Sequence, residues 1–116
     1  MIIYLGMPYT NSPEANTLAA EQAGMRLQQQ GHTVLIPHSF HHTAKNWRRY
    51  WAHDAGGDYW AKVGLAMLSA CDALVLEGNW KKSKGCRREH KWAQAHGLTV
   101  YYGADKVPPD KEDEID

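Results

Sequence analysis

CDALVLEGNWKKSKGCRREHKWAQAHGLTVYY, residues 71–102, reads as one strand–helix–strand unit. Ala73 to Leu76 and Leu98 to Tyr102 are short runs of aliphatic, β-branched or aromatic residues without alternation. Such runs suit strands buried on both faces, as in a parallel sheet covered by helices. The segment between them predicts a helix from about Ser83 to His96 that stops at Gly97. Outward from this unit the pattern repeats. Ile2 to Leu5 and Thr33 to Ile36 are two more apolar runs. Between them Ser12 is a candidate N-cap and Pro13 a first helical residue, followed by Ala20, Ala23, Gly24 and Leu27 at helical spacing until Gly31. A further helix is indicated by Trp60, Val63, Gly64, Met67 and Leu68, which fall on one stripe ahead of Asp72.

This β-α-β-α-β-α-β order predicts a small doubly wound α/β domain, Rossmann-like or flavodoxin-like, with a parallel sheet of about four strands flanked by helices. Ligands then gather at the carboxyl ends of the strands. Those ends are Gly6 to Asn11, Pro37 to Asp58, Glu77 to Ser83, and Tyr102 onward.

At 116 residues one domain is expected, and 43% hydrophobic with 22% charged residues disfavours disordered, collagenous and coiled-coil classes. No apolar run approaches the ~20 residues of a membrane span. Met1 to Leu5 has no basic leader ahead of its apolar stretch, so a cytoplasmic protein is expected. Cys71 and Cys86 lack CxxC spacing, which points to reduced thiols and away from a disulfide scaffold or a four-cysteine zinc site. Thirteen bases balance thirteen acids, yet residues 105–116 hold six acids and two lysines. The expected organisation is a domain over 1–104 with a charge of +4 and an acidic tail over 105–116 with a charge of −4. A body of that sign favours anionic ligands.

Chemistry concentrates between Glu77 and Glu89. Lys81, Lys82, Lys84, Arg87 and Arg88 crowd a helix start, where the macrodipole is already positive. A phosphate held by free N–H groups, the Ser83 hydroxyl and the backbone near Gly85 relieves this; a solvated basic face is the plain alternative. Glu89 shares a helix face with Gly85, Trp92, Ala93 and His96, so a carboxylate lies on the semi-apolar side. Such a group is paired, protonated or placed at a functional cleft.

On these residues the chain resembles the nucleoside 2-deoxyribosyltransferase-like family, which includes nucleotide N-glycosidases. The resemblance covers residues 2–102 and is carried by Ile3 to Tyr9, Gly31 to Val34, Cys71-Asp72-Ala73, and Gly78-Asn79-Trp80-Lys81-Lys82-Ser83-Lys84-Gly85-Cys86 with Glu89. It implies that Glu89 is the nucleophile at the anomeric carbon, that Ser83 contacts a 5′-phosphate, and that Tyr4 lies near the nucleophile. Gly6 and Pro8 fall in the opening motif, where Gly6-Met7-Pro8 replaces the usual Ala-Gly-Pro. Glu77, at a strand end, is a candidate to orient sugar or water, with an ion pair to Lys81 or Lys82 as the alternative. Active relatives carry an Asp where this chain has Gly64, which leaves Asp58, Asp54 or His53 as candidate proton donors. Asp72 reads as structural. In relatives the region of the long loop shapes the base pocket, so Phe40 or Trp47 is expected to stack on a base and His38 or His41 to bond its edge.

The expected function is therefore cleavage or transfer of an N-glycosidic bond in a nucleoside or nucleoside 5′-monophosphate. Such a reaction passes through an oxocarbenium-like state that a carboxylate stabilises or traps. No cofactor is implied. The family resemblance implies a homo-oligomer. A catalytically silent nucleotide-binding module is the rival, kept alive by Gly64. A third class is a metal-dependent hydrolase built on His38, His41, His42, His53, Asp54 and Asp58, whose spacing matches no strong motif. Arg48 and Arg49 among aromatic residues also permit single-strand nucleic-acid binding, disfavoured by the neutral overall charge.

Overall fold

A computed structural model describes residues 1–8, 13–37 and 56–110, with the backbone alone at 13–14 and 56–60. The elements are β1 (Ile2–Gly6), α1 (Pro13–Gln29), β2 (Thr33–Leu35), α2 (Gly56–Ser69), β3 (Ala73–Leu76), a 3-10 turn (Trp80–Lys82), α3 (Lys84–His96), β4 (Thr99–Tyr102) and a last 3-10 turn (Ala104–Lys106). The strands form one parallel sheet in the order β2-β1-β3-β4. This is the expected α/β architecture, and it puts the topological switch point between β1 and β3.

Alternation along the strands splits the interior into two layers. Ile3, Leu5 and Val75 meet Ala20, Ala23 and Leu27 of α1 on one face. Tyr4, Leu74 and Leu76 meet Leu68 of α2 and Cys86 and Ala93 of α3 on the other. Side chains of successive strand residues point to opposite faces, so each buried strand contributes to both layers. Fully burying one such Leu or Ile contributes about 1.5–3 kcal/mol, which is why three- to five-residue strands suffice here.

Helix ends follow their local chemistry. Pro13 opens α1 as its fixed φ permits. Ser83 caps α3 by accepting a hydrogen bond from the Cys86 N–H, 3.2 Å. Gly97 ends α3 at φ +71, a left-handed conformation that side chains with a Cβ resist. Asp72 holds the start of β3 to β1: its Oδ2 accepts from Ile2 N and its N–H donates to Ile2 O, both at 2.7 Å.

Beyond residue 104 the chain stays on the body through Asp110. Ala104 and Val107 are buried in the α1 layer. His32, only 5% exposed, donates from Nε2 to the Pro108 carbonyl at 2.7 Å and accepts at Nδ1 from the Met1 nitrogen at 3.1 Å. The Asp110 N–H donates to Gln30 O at 2.9 Å, and its carboxylate lies 3.0 Å from the Met1 nitrogen.

Candidate active site

Tyr4, in the middle of β1, is 1% exposed and points into the α2/α3 layer. Its phenol meets a carboxylate brought from α3. Cys86 and Ala93 hold the inner face of that helix, and Glu89 lies one turn from each, so its side chain also turns toward the sheet. The Tyr4 hydroxyl donates a short hydrogen bond to Glu89 Oε2. Among the described residues Oε1 makes no hydrogen bond.

The environment sets the ionisation of this pair. Burial pushes the Glu89 carboxyl up to about 7, partly offset by the Tyr4 hydrogen bond and the positive charge of Arg88. Burial, then the negative charge of Glu89, pushes the Tyr4 phenol upward as well. The shared proton therefore stays on tyrosine, and Glu89 titrates near neutrality. Burial drives the Cys86 thiol up to about 11, the Ser83 hydrogen bond lowers it in part and the negative charge of Glu89 raises it further, so it stays protonated beside the pair.

Gly64 on α2 supplies the third wall. A Cβ built there would lie 3.0 Å from Tyr4 Oη and 3.8 Å from Glu89 Oε2. The absence of a side chain at Gly64 lets the Tyr4 hydroxyl and the Glu89 carboxylate come close against α2. Gly64 is thus adjacent to the Tyr4–Glu89 pair.

The other predicted residues divide. Gly6 ends β1 beside β3, and a Cβ there would meet Leu76 Cδ2 at 2.9 Å, so its smallness serves strand packing. Pro8 and Met7 lie against Gly78, which turns at φ +66; this brings the loops after β1 and β3 together at the carboxyl end of the sheet. Ser83 is an N-cap, and its own hydroxyl proton remains available to donate. Gly85 is exposed in the first turn of α3. Glu77 does not pair with Lys81 or Lys82. Its Oε2 instead accepts from Ala104 N at 2.8 Å, tying the end of β3 to the turn after β4. Asp58 falls in the first turn of α2, with its side chain outside the described residues. His38, Phe40 and Trp47, with the other histidines of their loop, also lie outside them. Among the described residues no cluster of His, Cys, Asp and Glu could hold a metal, and no helix is long and apolar enough to cross a membrane.

Sequence reasoning missed a second group of side chains. Trp80, His90 and Tyr102 pack edge to face or tilted, with centroids 4.9–5.9 Å apart, and His90 Nε2 bonds the Tyr102 hydroxyl at 2.8 Å. They come from a turn, a helix and a strand, so no spacing in the chain signals them. Trp92 and His96, read as neighbours of Glu89, stack on each other at 4.0 Å.

A family model described as "Domain of unknown function (DUF4406)" matches residues 1–102. No curated protein matches the chain. Among solved structures, the fold is similar to a 2-deoxyribosyltransferase from Bacillus psychrosaccharolyticus (TM-score 0.63, 20% identity, covering 86% of this chain and 69% of that one). It is also similar to a 2-deoxyribosyltransferase from Leishmania mexicana (TM-score 0.57, 19% identity, 85% of this chain and 61% of that one). The chain thus spans less than two thirds of the Leishmania protein.

Proposed function

The chain belongs to the DUF4406 family, and from that premise we propose that it breaks or transfers the N-glycosidic bond of a nucleoside or nucleoside 5′-monophosphate, with Glu89 as nucleophile. The observation that carries this reading is a buried carboxyl held at one oxygen by the Tyr4 hydroxyl, with its other oxygen unbonded among the described residues and Gly64 of α2 close beside the pair. The two solved neighbours, named as 2-deoxyribosyltransferases, share the overall fold.

In the proposed reaction the unbonded Glu89 oxygen attacks the anomeric carbon. A carbon–oxygen bond forms as the carbon–nitrogen bond breaks, and the bonding pair leaves with the base. Asp58 is assigned the proton that the base takes up. Water or a second base then displaces Glu89 from the sugar, which makes the outcome hydrolysis or transfer. Tyr4 keeps its proton throughout and stabilises the carboxylate whenever it is ionised. At the helix start, the Ser83 hydroxyl and the Lys84 and Gly85 N–H groups are assigned to a 5′-phosphate, with the macrodipole favouring its charge. Phe40, Trp47 and His38 are assigned to the base, and Glu77 to fixing the mouth through Ala104. Assembly of several copies around the site belongs to the same proposal.

Gly64 favours one rival, a nucleotide-binding module without turnover. Chromatographic detection of free base from a panel of nucleosides and 5′-monophosphates separates the two. Release by the native protein that is lost in Glu89→Ala supports the enzyme. Release that persists in the variant removes Glu89 from its role, and binding without release supports the module.

A further inference from the structure

The outward face of α3 breaks the local rules for a stable helix. Lys84, Arg87, Arg88 and Lys91 are all exposed, and at 3.6 residues per turn they fall within an arc of about 100° opposite Cys86 and Ala93. They form like-charge neighbours at 84/87, 84/88, 87/91 and 88/91, each a destabilising spacing. Two more lysines, 81 and 82, precede them, so six of the chain's thirteen basic residues sit in eleven positions. The ion pairs among the described residues, Met1–Asp110 and Lys106–Asp105, involve none of the six. The single acid of the stretch, Glu89, is turned inward to Tyr4.

Next to this face lies the aromatic group. His90 is one turn from Arg87, its ring stands edge-on to both Trp80 and Tyr102, and the Lys81 Nζ lies 5.8 Å from the Trp80 ring. Tyr102, at the end of an edge strand, is 53% exposed. A repeating line of cations with aromatic rings beside it has the chemistry that takes phosphodiester and unpaired bases together. A lipid surface is a poorer match, because the arc holds only Ala95 among apolar residues and offers nothing to insert.

We infer that the outward face of α3, with Trp80, His90 and Tyr102 along its flank, binds single-stranded nucleic acid. The chain's formal neutrality does not oppose this, since the acids that balance it are concentrated after residue 104. The surface extends beyond the helix start assigned above to one phosphate, and it is read by binding alone, so absence of base release would not bear on it.

The test is fluorescence anisotropy of the full chain with a labelled short oligodeoxythymidine. Alongside run an abasic strand of equal length, a duplex, and vesicles containing phosphatidylglycerol. Tight binding of the oligothymidine is expected, weakening roughly 50-fold between ~50 and ~200 mM salt if about four phosphates are contacted. Exchanging Arg87 and Lys91 for Gln should cut affinity about tenfold or more and flatten the salt dependence. Tyr102→Ala, at a site 53% exposed, should cost roughly 5-fold or more with the salt slope unchanged. Circular dichroism confirms that each variant is folded. No salt-dependent binding overturns the inference. So does equal binding of the abasic strand or the duplex, or binding of the vesicles in place of the oligonucleotide.

Discussion

Replacing Glu89 with Gln should stabilise the protein at alkaline pH and leave it nearly unchanged at acid pH. Burial lifts this carboxyl from 4.5 to about 7 in the fold, so between those values the native state binds a proton that the unfolded chain has released. Stability from this group is therefore complete below about 4.5 and is lost as pH rises through about 7. The displacement corresponds to about 3 kcal/mol once the group is fully ionised. The amide of the variant would keep an oxygen to accept from Tyr4 and would carry no charge to desolvate. Urea unfolding of both proteins at pH 4.5 and pH 8 reads the difference, which cancels every other titrating group. With an m-value of about 1–3 kcal/mol/M, the variant should gain roughly 1–3 M in midpoint relative to the native protein between the two conditions. A gap that stays constant with pH, or that moves in favour of the native protein at pH 8, would refute the buried carboxyl as described.

Tyr4→Phe removes the donor that lowers the Glu89 pKa, so the acid limb of the rate profile for base release should move to higher pH, with turnover down about 10- to 100-fold. Gly64→Ala brings a methyl to 3.0 Å from Tyr4 Oη; a net loss of about 1 kcal/mol or more in thermal denaturation is expected, even though alanine is favoured in a helix interior. Ser83→Ala should cost about 1 kcal/mol as a lost cap and raise KM for monophosphates while leaving that for nucleosides unchanged. Ending the chain before Val107 strips a buried residue and the His32–Pro108 bond, and should lower urea stability by about 2 kcal/mol or more.

The fold was legible because each strand is an uninterrupted apolar run, α1 and α3 are bounded by serine, proline or glycine whose effect is local, and α2 carries an apolar stripe. Ser83, Pro13 and Gly97 did what their chemistry dictates, and element ends moved by one residue at Gly6, Ile36 and Leu98. Tyr4 meeting Glu89 is different in kind. They stand 85 positions apart, and their contact depends on β1 and α3 facing the same layer; helix-face spacing alone left Glu89 between a salt bridge and a cleft. Glu77 shows the limit of reading strand ends, since two lysines lay near it in sequence and a backbone N–H twenty-seven residues away took its carboxylate. The aromatic trio was invisible for the same reason: topology, not spacing, assembles it.

Both sulfhydryl groups, Cys71 at 6% and Cys86 at 2% exposure, belong to the layer that holds Tyr4, and the α1 layer contains none. Alkylation under native conditions is thus a one-sided clock. It reports how often the half of the molecule behind Glu89 breathes open, while the half clasped by His32 and the closing residues stays silent, so motion of the two halves can be timed separately without introducing a label.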